Sequence, residues 1–199
     1  LRFNQVNADA GDIDSSMAAM ANMMGMNVAT LRDRFNSADR EQTDNNIDAL
    51  IGLAYEIDEQ WLLQGALGRK TRSASYQERY LWLPMQSTGG LADGHNYVGD
   101  VELNPEKANE LELGFDWKNN DLFFSPRLFY REVSDYIQGI PSADATVIMI
   151  STMMGGDAKP LQFSNVDAVF YGLDLQWRYR LTHAWQLFGI GSAVRAQRD

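Results

Sequence analysis

The spacing of its apolar-alternating segments constrains this chain more than any other feature. Stretches near 45–57 and 61–73 meet at Asp58-Glu59-Gln60, those near 108–118 and 122–137 at Asn119-Asn120-Asp121, and those near 164–181 and 185–197 at Thr182-His183-Ala184. The other connections are long, over about 8–44, 74–107 and 138–163. Tight turns at one rim and large loops at the other mark an up-and-down antiparallel barrel of the outer-membrane type. The expected fold class is therefore all-β: a transmembrane β-barrel segment of about seven antiparallel strands belonging to a larger barrel, with long extracellular loops.

Parity within the strands supports two unlike faces. In Glu110–Trp117 the odd positions are Leu111, Leu113, Phe115 and Trp117, against Glu110, Glu112, Gly114 and Asp116. From 169 onward Val169, Tyr171, Leu173, Leu175, Trp177, Tyr179 and Leu181 oppose Gly172, Asp174, Gln176, Arg178 and Arg180. Successive strand residues point to opposite sides, so one face suits lipid and the other water. A soluble sandwich alternates too, and a soluble β-rich binding module is the competing reading. Trp61, Trp117, Trp177 and Trp185 all lie close to a short turn, where an indole sits at headgroup level. Four positions resist the pattern. Arg69 shares the parity of Leu67, Pro126 removes a ladder donor, and Phe123 and Phe129 share the water-facing parity. The last strand, around Leu187–Val194, is too rich in glycine for its faces to be read.

Composition narrows the class. No window of 18 or more apolar residues exists, so no transmembrane helix is expected, whereas a spanning strand needs only about 9–11 residues. A formal charge of −10 argues against a nucleic-acid partner, which requires a basic surface. The absence of cysteine removes disulfides, thiolate metal sites and cysteine nucleophiles. Nucleophile, base and orienting group nowhere cluster, so no enzymatic activity is expected. GIGSAV (189–194) lacks the third glycine and the following helix of a phosphate-binding fingerprint. Without an initiator Met or a signal peptide, the chain reads as an excerpt of something longer.

Three stretches carry a family resemblance: GRKTRSASYQERYLWLP (68–84), GDVELNPEKANELELGFDWKNN (99–120) and LFYREVSDYIQG (128–139). With FSNVDAVFYGLDLQWRYRL (163–181), where an Asn and a Gly recur near the start, they resemble the late barrel region of TonB-dependent outer-membrane receptors. That resemblance implies active import of a scarce ligand, commonly a metal chelate or cobalamin, through a 22-stranded barrel blocked by a plug domain. It implies a Gram-negative outer-membrane location, and as partners the lipid and lipopolysaccharide around the receptor, its own plug domain, and the TonB complex. Residues 1–199 are then expected to form a partial barrel domain, with plug and TonB box absent from this chain.

Two ligand classes follow from the loops. RKTRSASYQERYLWLP and the Met-rich first loop look most like the copper-type receptors. Met17, Met20, Met23, Met24 and Met26 offer soft thioethers suited to Cu(I) as a transported ion, and His95 is the one imidazole outside a tight turn. The methionines serve equally as flexible packing for a loop helix. Arg72, Tyr76, Arg79, Tyr80 and Trp82 instead provide the aromatic and guanidinium groups that suit a ferric siderophore. Asp9, Asp12 and Asp14 are a loose oxygen cluster out of register for a calcium loop. Glu110, Glu112, Asp116, Arg127, Arg131, Arg178 and Arg180 share the water-facing parity, where pairing with one another is the simplest arrangement.

Overall fold

The computed structural model describes residues 1–16, 19, 27–86 and 93–198. Nine strands form one sheet: β1 (Arg2–Ala8), β2 (Gln42–Glu56), β3 (Trp61–Arg72), β4 (Met85–Gln86), β5 (Asn96–Val98), β6 (Glu106–Lys118), β7 (Leu122–Pro141), β8 (Leu161–Arg180) and β9 (Gln186–Arg198). Among the described residues, helices in the excursions include α1 (Val28–Ser37), α2 (Tyr76–Tyr80) and α3 (Ala145–Gly155). The order is β1-β2-β3-β6-β7-β8-β5-β4, with β9 also on β8.

This corrects the expected fold class. The chain is not all-β, its strands number nine rather than about seven, β5 runs parallel to β8, and the sheet is open rather than a closed 22-stranded barrel. Alternation reports local pleating; closure depends on whether first and last strands pair, which alternation does not encode. β5 pairs with Leu161 and Gln162 at the start of β8 and satisfies backbone groups there.

The six long strands fall where alternation placed them, and their turns gather at one end. Register lines up one face into apolar rows, odd-numbered on every strand but β7: Ile51, Leu67, Leu111, Tyr130 and Tyr171, then Leu53, Gly65, Leu113, Leu128 and Leu173. Nearest the turns stands an aromatic row of Trp61, Trp117, Phe124 and Trp177. Leu53 is 77% exposed and Leu128 62%, so these rows form an apolar exterior rather than a core. Arg69 belongs to the next row, Ala49, Arg69, Asn109 and Glu132, where polar residues begin, and it needs no bulge to reset its phase.

On the opposite face, Arg127 repairs what Pro126 breaks. The β6–β7 ladder lapses at Phe115 and Asp116 and resumes in the same register at Trp117. The Phe115 carbonyl, opposite a residue without N–H, accepts instead from Arg127 Nη1 at 2.8 Å. Arg127 Nη2 also donates to Asp116 Oδ1 at 2.6 Å and Gln64 Oε1 at 2.9 Å. Arg131 pairs with Glu110. Phe129 lies against Gly172, where a Cβ would come within 2.8 Å of its ring, and Arg178 covers Phe123 at 5.5 Å. Both phenylalanines are thus packed on a polar face.

Candidate functional site

The end of the sheet opposite the short turns carries a cap built from all three excursions. Its helices form for local reasons. Ser75 and Glu78 make a reciprocal capping box at the start of α2. Asp144 accepts from the backbone N–H groups of Thr146 and Val147 to begin α3, and Gly156, at φ 71°, ends it. Val28, Leu31 and Phe35 share one stripe of α1, the spacing that buries a helix face. Val28 and Leu31, with Val98, Val147 and Ile150, make one apolar cluster, with Trp82 and Leu83 against it. Tyr97, Leu103, Ile137 and Phe163 make a second, which seats the cap on β7 and β8.

Between α1, α3 and the 79–82 and 98–101 segments lies a cavity of about 170 Å³. Leu31, Phe35, Trp82, Val98 and Val147 give it apolar and aromatic walls; Arg34, Asp100, Asp144 and Gln162 supply polar groups. Arg34 pairs with Asp144 across α1 and α3. Burial would raise the Asp144 carboxyl, but its bonds with Arg34, Thr146 and Val147 outweigh this and hold it below the usual carboxylate range.

The five loop residues expected to bind ligand lie together on one segment but do different work. Arg72 is gripped by Glu106, at 2.7 Å from both Nε and Nη2, and by Glu78 at 2.9 and 3.1 Å. Arg79 is 1% exposed and gives Nη2 to both oxygens of Asp44 at 2.8 Å and to the Leu103 carbonyl at 3.0 Å. Its Nε and Nη1 are buried without a hydrogen-bond partner among the described residues. Tyr80 is buried, donates to the Arg40 carbonyl at 2.8 Å and meets Phe35 edge-on. Tyr76, its ring 4.9 Å from that of Tyr80, is 65% exposed. Trp82 lines the cavity.

Of the residues expected to meet a metal, His95 stands with Nδ1 3.3 Å from Asp157 Oδ2. Met17, Met20, Met23, Met24 and Met26 lie outside the described residues. Among the described residues no group of three or more His, Cys, Asp or Glu is disposed to hold a metal ion.

Sequence reasoning missed the residues that lock the excursions to one another. Asp157 also accepts from the Asn96 backbone N–H at 2.8 Å, and the Asn96 side chain donates to Ser151 Oγ at 2.9 Å. Burial would raise Asp157, yet these bonds, those from Lys159 and the His95 contact leave it lowered. Burial and then the bond to Asp93 push the Tyr97 hydroxyl up to about 12. The recurring Asn is Asn165, whose amide takes both backbone groups of Asn104, at 2.9 and 3.1 Å, and donates to the Asp135 carbonyl at 2.7 Å. It thereby pins the bulge of β7, where Asp135 adopts φ 60°. The helix caps at Ser75 and Asp144 were readable in the sequence; the contacts between excursions left no local signal.

Residues 24–199 match a family model described as TonB dependent receptor-like, beta-barrel. The chain belongs to this family. No curated protein matches it. Among solved structures this TonB-dependent receptor chain is similar to the copper transporter OprC, at 21% identity and TM-score 0.59, over 81% of this chain and 22% of that one. It is similar to the siderophore receptor PirA from Pseudomonas aeruginosa, at 18% identity and TM-score 0.59, over 82% and 30% of the two chains. A third likeness is to the Q482A mutant of the ferric enterobactin receptor PfeA from Pseudomonas aeruginosa in complex with enterobactin, at 17% identity and TM-score 0.52, over 78% and 22%. The chain thus spans 22–30% of the length of these structures, and the likeness is one of fold. TonB-dependent receptors are transporters rather than enzymes, and the place of this one is the outer membrane of a Gram-negative cell.

Proposed function

We propose that the chain is part of a receptor that imports a metal chelate of the ferric-siderophore class, with the apolar rows of β2, β3 and β6–β8 facing lipid and the cap meeting the ligand. The resemblance of 68–84, 99–120 and 163–181 favours the later part of the transport domain. The partners that go with this reading are outer-membrane lipid and lipopolysaccharide, the receptor's plug domain, the TonB complex and the chelate itself.

The carrying observation is the cap cavity. At about 170 Å³ it is close to the roughly 150 Å³ that accepts one benzene ring. Phe35 and Trp82 offer stacking faces, and Arg34, its side chain 59% exposed, offers a guanidinium to an anionic oxygen. An aromatic, anionic chelating arm fits this chemistry better than a bare ion does. The test is binding of ferric catecholate and ferric hydroxamate chelates to the intact receptor in detergent. Trp82→Ala should weaken the preferred chelate by about tenfold, one strong contact's worth. Absence of binding by either chelate would refute the reading.

Copper is the second reading, in keeping with the likeness to the copper transporter OprC. Its support is that Met149, Met153 and Met154 on α3 are 39%, 53% and 48% exposed instead of packed. Cu(I) binding that is lost when Met17, Met20, Met23, Met24 and Met26 are all replaced by Leu would favour it over the chelate.

A further inference from the structure

The cap cavity has room for one aromatic ring, and the charges around it narrow the kind of ring it suits. Arg34, Arg79, Asp100 and Asp144 all line it. Arg79 brings no free charge to a ligand, because it is 1% exposed and already gives Nη2 to both oxygens of Asp44 at 2.8 Å. Arg34 is accessible but shares its charge with Asp144. That pair, with the N–H groups of Thr146 and Val147, keeps Asp144 ionised at neutral pH. Asp100 accepts from the Glu102 N–H at 2.9 Å and has no ion-pair partner among the described residues. The wall therefore offers one partly neutralised cation and one unpaired carboxylate, with no surplus of positive charge. Gln162 adds a neutral polar group. Its backbone is fixed between Val98 of β5 and Ile140 of β7, whereas its side-chain amide has no hydrogen-bond partner among the described residues.

We propose that the cavity selects a phenolate-type arm of the salicylamide class over a catecholate arm. This rests on the ferric-chelate reading and names the arm within it. The single anionic oxygen of a phenolate ring suits the Arg34 guanidinium. The amide that joins such a ring to its scaffold both donates and accepts, as the Gln162 amide does. A catecholate arm carries a second anionic oxygen, for which the wall has no second free cation and which Asp100 and Asp144 oppose. The same difference holds for the whole chelate. On a tripodal scaffold phenolate arms neutralise the ferric charge, whereas catecholate arms leave the complex strongly anionic. Like charge on ligand and wall is a device of rejection, and here it acts on the more anionic chelate.

The test compares two ferric chelates built on one tripodal scaffold, one with salicylamide and one with catecholamide arms. Their binding to the intact receptor in detergent is measured by equilibrium dialysis of radioactive iron. The salicylamide chelate should bind about tenfold more tightly than the catecholamide chelate. Asp100→Asn keeps the acceptor for the Glu102 N–H while removing the charge. It should strengthen binding of the catecholamide chelate several-fold and leave the salicylamide chelate unchanged. Gln162→Leu should weaken the salicylamide chelate about fivefold, one hydrogen bond's worth. Equal or tighter binding of the catecholamide chelate by the parent, or two variants that both bind as the parent does, would overturn the proposed selection and leave the chelate reading standing. Binding of neither chelate by the parent would overturn that reading and the selection with it.

Discussion

Arg127 and Arg79 are both arginines in a β-rich scaffold, and their neighbours give them opposite standing. Arg127 earns its place through backbone repair, and Gly114 makes room for it: a Cβ there would lie 2.3 Å from the Pro126 carbonyl oxygen and 2.5 Å from Arg127 Cδ. Gly114→Ala should destabilise the folded receptor by about 1–3 kcal/mol, the usual cost of overpacking, measured by urea unfolding in lipid or detergent. Arg79 is a buried ion of an isolated pair. Removing its partner by Asp44→Ala leaves an uncompensated charge and should cost about 3–5 kcal/mol of cap stability, whereas Asp44→Leu with Arg79→Met should recover most of it. Hydrogen exchange of residues 76–82 separates these outcomes; equal loss in the single and double variants would show that the pair itself stabilises the cap.

At the scale of elements, the cap is held by carboxylates whose partners outweigh burial. Glu78, Asp144 and Asp157 all titrate below their ordinary values in the fold. A lowered folded pKa means that the charged form is favoured by folding. Its contribution is complete above the ordinary carboxylate range near pH 4 and disappears as pH falls through the lower folded value. Limited proteolysis of the 142–160 excursion should therefore be unchanged from neutral pH down to about pH 5 and rise steeply below about pH 4. A rise already between pH 5 and 7 would show that these carboxylates do not set the lock. Asp144→Ala removes both the N-cap of α3 and the Arg34 pair, and should loosen α3 by about 1 kcal/mol or slightly more. These elements were partly legible: Ser75-x-x-Glu78 is a capping box, and Asp144 precedes an apolar run. That α1 packs on α3 was not, because residues 28–37 and 145–155 share no local pattern and meet through burial and the Arg34–Asp144 pair.

For the whole molecule, the decisive arrangement is the separation of two environments. Buried apolar residues such as Leu31, Val98 and Ile150 belong to the cap, while the lower strands expose theirs. Each of β7 and β8 has 20 residues, roughly 65 Å of strand, far more than a bilayer requires, so their upper parts are left to carry the cap. Leu113, in the middle of the apolar rows, discriminates lipid from water. Leu113→Arg should cost about 2–4 kcal/mol if that row is at the bilayer midplane. A change within about 0.5 kcal/mol would mean an ordinary solvated surface and would favour the soluble β-rich module.

The sequence by itself determined the positions of the six long strands, the two faces of all but the last and the end at which the turns gather, because side-chain alternation and turn length are local properties of a pleated chain. It also marked the residues that disturb the pattern, Arg69, Pro126 and Phe129. Only the tertiary structure decided how each was accommodated: a polar row for Arg69, a borrowed guanidinium for the carbonyl opposite Pro126, and a glycine under Phe129. It likewise decided that the sheet is open, that β5 joins β8 in parallel, and that the excursions form a packed cap. Those outcomes depend on contacts between residues far apart in the chain, whose free energy comes from burial and from satisfying backbone groups, and neither leaves a periodic trace along the sequence.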